Sequence, residues 1–226
     1  MRHVRFAGPA ELHAGAAEAI ARRAVQAIEA RGRFAIALSG GKTPIPVYEQ
    51  LGAHAVIDWQ NTHVFWSDER CVPPEDDSSN FGSAKRVLLD RVNIPGSNIH
   101  RIPGEQSPVD AAQAYEKTLR ELIPDGRLDL ILLGMGADGH TASLFPGHPA
   151  LQERERWILP VHVKAEPPWR VTMTLPLINN ARHVLMLSVG QEKEQTRKRI
   201  AAGEDLPAGR VRPSAGEFAW YTSSRP

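Results

Sequence analysis

Short apolar runs alternate with amphipathic helical stretches along most of this chain, and each run closes in a polar or glycine-rich loop. FAIAL (34–38), THVFW (62–66), LDLILLGM (128–135), RVTMTL (170–175) and HVLMLSV (183–189) have the length and composition of buried strands. Between them, residues 9–31 carry Leu12, Ala16, Ile20, Ala24 and Ile28 at helical spacing, with Gly32 as a stop. Further helices are expected over about 80–92, over 108–123 and over 191–203. Residues 98–102 read as a short strand and FAWY (218–221) as an edge strand. Strands alternating with helices pair in parallel through right-handed crossovers. The expected fold is therefore α/β, a three-layer α/β/α sandwich with a mainly parallel, Rossmann-like sheet and a small additional β element.

Ligands bind such sheets beyond the carboxyl ends of the strands. Three polar loops directly follow apolar strands: SGGKTP (39–44), SDERC (67–71) and GMGADGH (134–140). The topology gathers them at one edge, and the chemistry is sought there.

LSGGKTP (38–44) raises the question of ATP, because Gly41-Lys42-Thr43 resembles the end of a Walker A loop. That motif needs a glycine four residues before the Gly-Lys pair. Counting back from Gly41, the position is Ile36, inside a strand, so the ATP reading fails on spacing. A glycine-rich turn entering a helix still makes an anion site from its backbone N–H groups. With Thr43 as N-cap and Pro44 in the first turn, the loop reads equally as a phosphate cradle or as a tight turn with Lys42 in solvent.

In the second loop Arg70 suits a phosphate or a developing oxyanion, and Asp68 could orient it. The plainer reading is a surface ion pair, with Asp76, Asp77 and Ser78 to Asn80 as turn and cap residues. In the third loop His140 lies in a glycine turn at the strand end, where an imidazole could serve as general base, with Asp138 fixing its tautomer. His148 reads as surface. Asp138, His140 and His148 match no metal-ligand spacing. Arg170 opens a strand and Lys193 opens a helix. Either could reach a phosphate, whereas Lys164 and Lys198 read as solvated. Met135, Met173 and Met186 read as core. No Gly-x-Ser-x-Gly elbow supports a serine hydrolase.

Length and charge exclude several classes. The 226 residues suit one domain, residues 1–226, and the formal net charge of +1 gives no reason to expect a nucleic-acid partner. No apolar stretch approaches the roughly 20 residues of a membrane span, and residues 1–24 show no signal-peptide core. Cys71 is the only cysteine, which fits a reducing cytoplasm. Nothing marks an obligate interface, so a monomer or weak homo-oligomer is expected.

Taken together, LSGGKTP, FWSDERCVPPEDDSSNFG, LDLILLGMGADGHTASLFPGH and RVTMTLPLINNARHVLMLSVGQEK resemble the 6-phosphogluconolactonase family. The matching blocks run in order from about residue 34 nearly to the C-terminal end. The resemblance implies hydrolysis of 6-phospho-D-glucono-1,5-lactone without cofactor or metal. Ser39, Gly40, Gly41 and Thr43 would hold the 6-phosphate, with Arg170 and Lys193 adding charge. His140 would activate water, Arg70 would stabilise the oxyanion, and Asp68 and Asp138 would orient them. The lactone also opens unaided in water, so one base and one oxyanion donor suffice. Glucosamine-6-phosphate deaminase shares the fold group and is the competing reading. Its pattern has Asp-Glu-Tyr where this chain has Asp68-Glu69-Arg70. It also has a catalytic glutamate five residues after the histidine, where this chain has Phe145. A non-catalytic sugar-phosphate sensor is the third reading, and no helix-turn-helix segment accompanies it.

Overall fold

The computed structural model describes residues 2–224. Six strands form one sheet in the order β1 (Arg2–Arg5), β9 (Glu217–Ser223), β8 (His183–Val189), β5 (Leu130–Gly134), β2 (Phe34–Leu38) and β3 (Thr62–Trp66). Every neighbouring pair is parallel. The central strands are buried from end to end: all five residues of FAIAL and the first four of LILLG. That is the pattern of strands covered on both faces.

Helix α1 (Pro9–Arg31) places Leu12, Ala16, Ile20, Ala24 and Ala27 in the core and ends where Gly32 adopts φ +72°. Helix α6 (Gln191–Ala201) lies on the other face. Alternate β9 residues separate the two: Trp220 faces the α6 side, Ala219 and Tyr221 the α1 side. The remaining helices are α2 (Ile45–Gly52), α3 (Asn80–Val87), α4 (Pro108–Leu122) and the single turn α5 (Leu175–Ile178).

From β2 the chain crosses outward to β3, and from β5 it runs the other way to β8 and β9. The reversal falls between β2 and β5. This is the topological switch point, where open α/β sheets leave a crevice. SGGKTP follows β2 and MGADGH follows β5, so both border it.

Several expectations are corrected. Asp68–Arg70 is not loop but a strand, β4, in a second, antiparallel sheet ordered β4-β7-β6. RVTMTL supplies β7 (Trp169–Met173) to this small sheet, not to the main one. Its partner β6 (Ile158–His162) precedes it by only six residues. Parallel crossovers need a dozen or more, so the pair is antiparallel. Residues 98–102 make only a bridge, Val64 to Ile99. The helix expected over 80–92 stops at Val87 and resumes as a 3₁₀ turn at Leu89–Arg91. FAWY lies within β9, an inner strand, because the unanticipated β1 covers its outer side. Thr43 does not cap α2, and Pro44 stands at the cap without a side-chain bond.

Candidate active site

Each wall of the crevice is built by local chemistry. After β2, Tyr48 reaches back from α2 and binds both backbone groups of Ser39. Its Oη accepts from Ser39 N at 2.9 Å and donates to Ser39 O at 2.6 Å. This buried clamp fixes the loop's exit, and burial raises the phenol's pKa. The Ser39 hydroxyl is buried yet has no protein partner, and Ser39 lines the cleft. Gly41 turns the loop at φ +88°. Gly40 is required by close packing, since a Cβ there would lie 1.8 Å from Asn80 Oδ1.

The β4 strand presents Asp68 and Arg70 to the cleft and buries Glu69 between them. The Glu69 carboxylate accepts from the N–H groups of Arg70, Asn80 and Phe81 and from the Ser79 hydroxyl. Burial pushes its pKa up and the backbone N–H bonds oppose the shift. Glu69 thus folds the 71–79 loop back over β4. Arg70 donates one terminal nitrogen to Ser78 O, while its buried Nε has no protein partner.

Arg170 sits directly opposite Arg70 across the β4–β7 ladder. It is 7% exposed, and burial first, then Arg70, lowers its pKa. Like charges facing each other across strands are unfavourable. An anion placed between these two guanidinium groups would relieve that repulsion. Lys193, from the first turn of α6, faces the same cleft, its pKa lowered by burial.

The turn after β5 closes on itself, with Gly136 N donating to His140 O at 2.9 Å and Gly139 at φ +86°. Asp138 Oδ1 accepts from His140 N at 3.1 Å and lies 2.6 Å from His140 Nδ1. A carboxylate at Nδ1 keeps the proton there, which leaves the Nε2 lone pair for chemistry. The ring stacks on Phe145 with centroids 4.4 Å apart. It lies so close to the backbone that a Cβ on Gly136 would come within 2.2 Å of it. Two outside bonds brace the turn: Thr196 Oγ1 to Ala137 O and Ala208 N to Gly139 O.

One cleft of about 230 Å³ collects Ser39, Gly40, Gly41, Thr43, Asp68 and Arg70. Lys42, His140, Arg170 and Lys193 also line it. Asp138 is the one expected site residue off its lining, and it holds His140 by the ring nitrogen. His148 lies outside and caps a 3₁₀ turn through Ala150 N.

Two further residues belong to the site: Asn80, expected only as a turn or cap residue, and Ser143, which carried no expectation. Asn80 lines the cleft and donates its Nδ2 to Asp68 O at 2.9 Å. Ser143 is fully buried and donates its hydroxyl to Asp68 Oδ2 at 2.6 Å, joining the histidine turn to β4. Ser143 follows Ala142, a non-glycine residue at φ 47°, in a turn closed by reciprocal Thr141–Leu144 bonds. The DDSSN run signals a turn and a cap but nothing in it points to Asp68, and no local pattern marks Ser143.

A family model for glucosamine-6-phosphate isomerases/6-phosphogluconolactonase matches residues 7–220. The 6-phosphogluconolactonase of Rattus norvegicus is 38% identical over 227 residues, covering 96% of this chain and 88% of that protein. The GDH/6PGL endoplasmic bifunctional protein of Homo sapiens is also 38% identical, but the chain spans only 28% of its length. The crystal structure of 6-phosphogluconolactonase from Thermotoga maritima matches with a TM-score of 0.90 at 30% identity, over 98% of this chain and 99% of that one. Fold and sequence agree: the chain belongs to the glucosamine-6-phosphate isomerase/6-phosphogluconolactonase family.

Proposed function

We propose that the protein hydrolyses 6-phospho-D-glucono-1,5-lactone to 6-phospho-D-gluconate, the second step of the oxidative pentose phosphate pathway. One observation carries the reading: a histidine with its Nδ1 held by Asp138 shares a small cleft with three buried or half-buried cations.

In this reading the 6-phosphate occupies the Ser39–Thr43 loop and takes charge-assisted bonds from Arg170 and Lys193. The unpartnered Ser39 hydroxyl supports that placement. His140 Nε2 accepts a proton from water as the oxygen bonds to C1. The carbonyl becomes an oxyanion beside Arg70. Collapse of the tetrahedral intermediate breaks the bond from C1 to the ring oxygen, and the imidazolium returns its proton to that oxygen. Asp68, held by Ser143 and Asn80, orients a sugar hydroxyl or Arg70.

The test is acid release from freshly prepared lactone, followed at constant pH against the uncatalysed blank. A rate equal to the blank sinks the proposal and favours a sugar-phosphate sensor. Ammonia released from glucosamine 6-phosphate would favour the deaminase. Phe145 stacked on His140 speaks against that outcome, because it stands where the deaminase pattern has its glutamate.

A further inference from the structure

Beside α6, sharing no lining residue with the cleft, lies a second cavity of about 490 Å³, within the size range of small-molecule sites. Its floor is apolar: Ile200, Val211, Phe218 and Trp220. The Trp220 indole N–H already donates to Ser188 Oγ at 3.0 Å, so the ring offers the cavity only its apolar body.

The rim is cationic. Arg197 and Arg212 line it. Arg197 is bonded to Glu194, which also takes Arg5, so one carboxylate faces two guanidinium groups. The acids nearby are engaged elsewhere, Glu204 by Arg199 and Asp205 by Arg210. Arg212 uses its Nε on Gly209 O, and among the described residues its terminal nitrogens have no hydrogen-bond partner. An apolar floor under surplus positive charge suits an amphipathic anion.

The cavity walls are also the supports of the histidine turn. On one side is α6, whose Thr196 holds Ala137 O at 2.5 Å. On the other is the segment after Leu206, whose Ala208 N–H binds Gly139 O at 3.0 Å. Leu206 itself packs so tightly on Gly139 that a Cβ there would meet it at 2.8 Å. Anything seated between Ala201 and Ala208 touches both supports.

We propose that this cavity binds a small aromatic carboxylate, and that its occupancy changes turnover at His140 through these two supports. Naphthalene-1-carboxylate is the probe, titrated into the isotope-labelled full chain and followed by amide and indole NMR shifts. Saturable shifts are expected at Arg197, Gly209 and the Trp220 indole. Losing the charge-assisted contact should weaken binding by about tenfold or more, whether the probe is replaced by neutral naphthalene-1-methanol or Arg212 by Glu. Ala201→Trp, which fills the cavity, should abolish the shifts. Arg212→Glu should not alter turnover without probe.

Unsaturable shifts, shifts centred on Ser39 and Lys193, or equal affinity for the neutral compound would overturn the binding site. So would a dimer in sedimentation that Arg212→Glu separates, because the cavity would then be a self-interface. Saturation with unchanged kcat and KM would overturn the coupling. That arm rests on the lactonase reading. The NMR arm does not, so failure of one is distinguishable from failure of the other.

Discussion

At the scale of single residues, the site depends on a few contacts that admit little change. On the proposed mechanism His140→Ala removes the base, and turnover should fall by at least the roughly 10²-fold typical of such a loss. Near-normal acid release in that variant would remove His140 from the mechanism. Arg70→Ala separates two roles: a fall in kcat fits an oxyanion donor, whereas a rise in KM alone makes Arg70 a phosphate ligand. Ser143→Ala leaves Asp68 Oδ2 buried without its 2.6 Å donor. An unsatisfied buried acceptor costs about 1–3 kcal/mol, so thermal unfolding should show a loss of that order, with reduced activity. Unchanged stability and kinetics would mean that Asp68 does not rely on Ser143. The loop residues were legible because Gly, Ser, Asp and His after a strand carry a local signal. Asn80 and Ser143 were not, because their meaning comes from Gly40 and Asp68, distant in sequence and adjacent only once β4 and the two loops meet.

The elements show where periodicity stops being informative. Long helices and central strands were legible from apolar spacing. β4 was not, since three residues cannot display a period of two, and its ladder partner lies a hundred residues on. The segment 98–102 is docked on β3 rather than woven into the sheet. A bridge to Val64 holds it, with a His63 Nδ1 to His100 Nε2 bond of 3.0 Å and the His100 ring stacked on Phe65. Burial, then the neighbouring His63, pushes the His100 pKa down to about 4. Burial and Arg33 lower that of His63. The unfolded chain therefore binds more protons than the folded one between the ordinary value of 6.5 and about 4. Stability should fall as pH drops through that window. His100→Phe keeps the stack and removes the proton site, so it should flatten that part of the pH–stability curve. A curve superimposable on the parent's would show that the pair contributes nothing to the acid sensitivity.

Over the whole molecule, a net charge of +1 conceals an uneven distribution. Lys42, Arg70, Arg170 and Lys193 share one small cleft with Asp68 as the acidic member. On the proposed function such a cleft draws in a phosphorylated substrate from a distance, and salt screens the effect, the Debye length shrinking from about 30 Å at 0.01 M to about 8 Å at 0.15 M. Accordingly kcat/KM for the lactone should drop across that range while kcat stays nearly constant. A salt-independent kcat/KM would mean that capture does not depend on this cluster. The gathering of the segments after β2, β3 and β5 at one sheet edge was legible from the alternation of elements alone, although the one after β3 is a strand and not a loop. The small antiparallel sheet that sets two arginines face to face was foreseen only as an extra β element, because its strands are short and meet from separate parts of the chain.

The pairing of β1 with β9, Arg2 beside Ala219, has a consequence for how the protein is made. During synthesis β1 leaves the ribosome long before β9 and has no partner until almost all of the sheet between them has followed it. For that interval it is an exposed edge able to join other nascent chains. Arg2 and Arg5 give it the charge that discourages such pairing. β1 closes the loop of greatest sequence separation, so it is expected to dock last and to open first under mild denaturant, which amide exchange at Val4 would report.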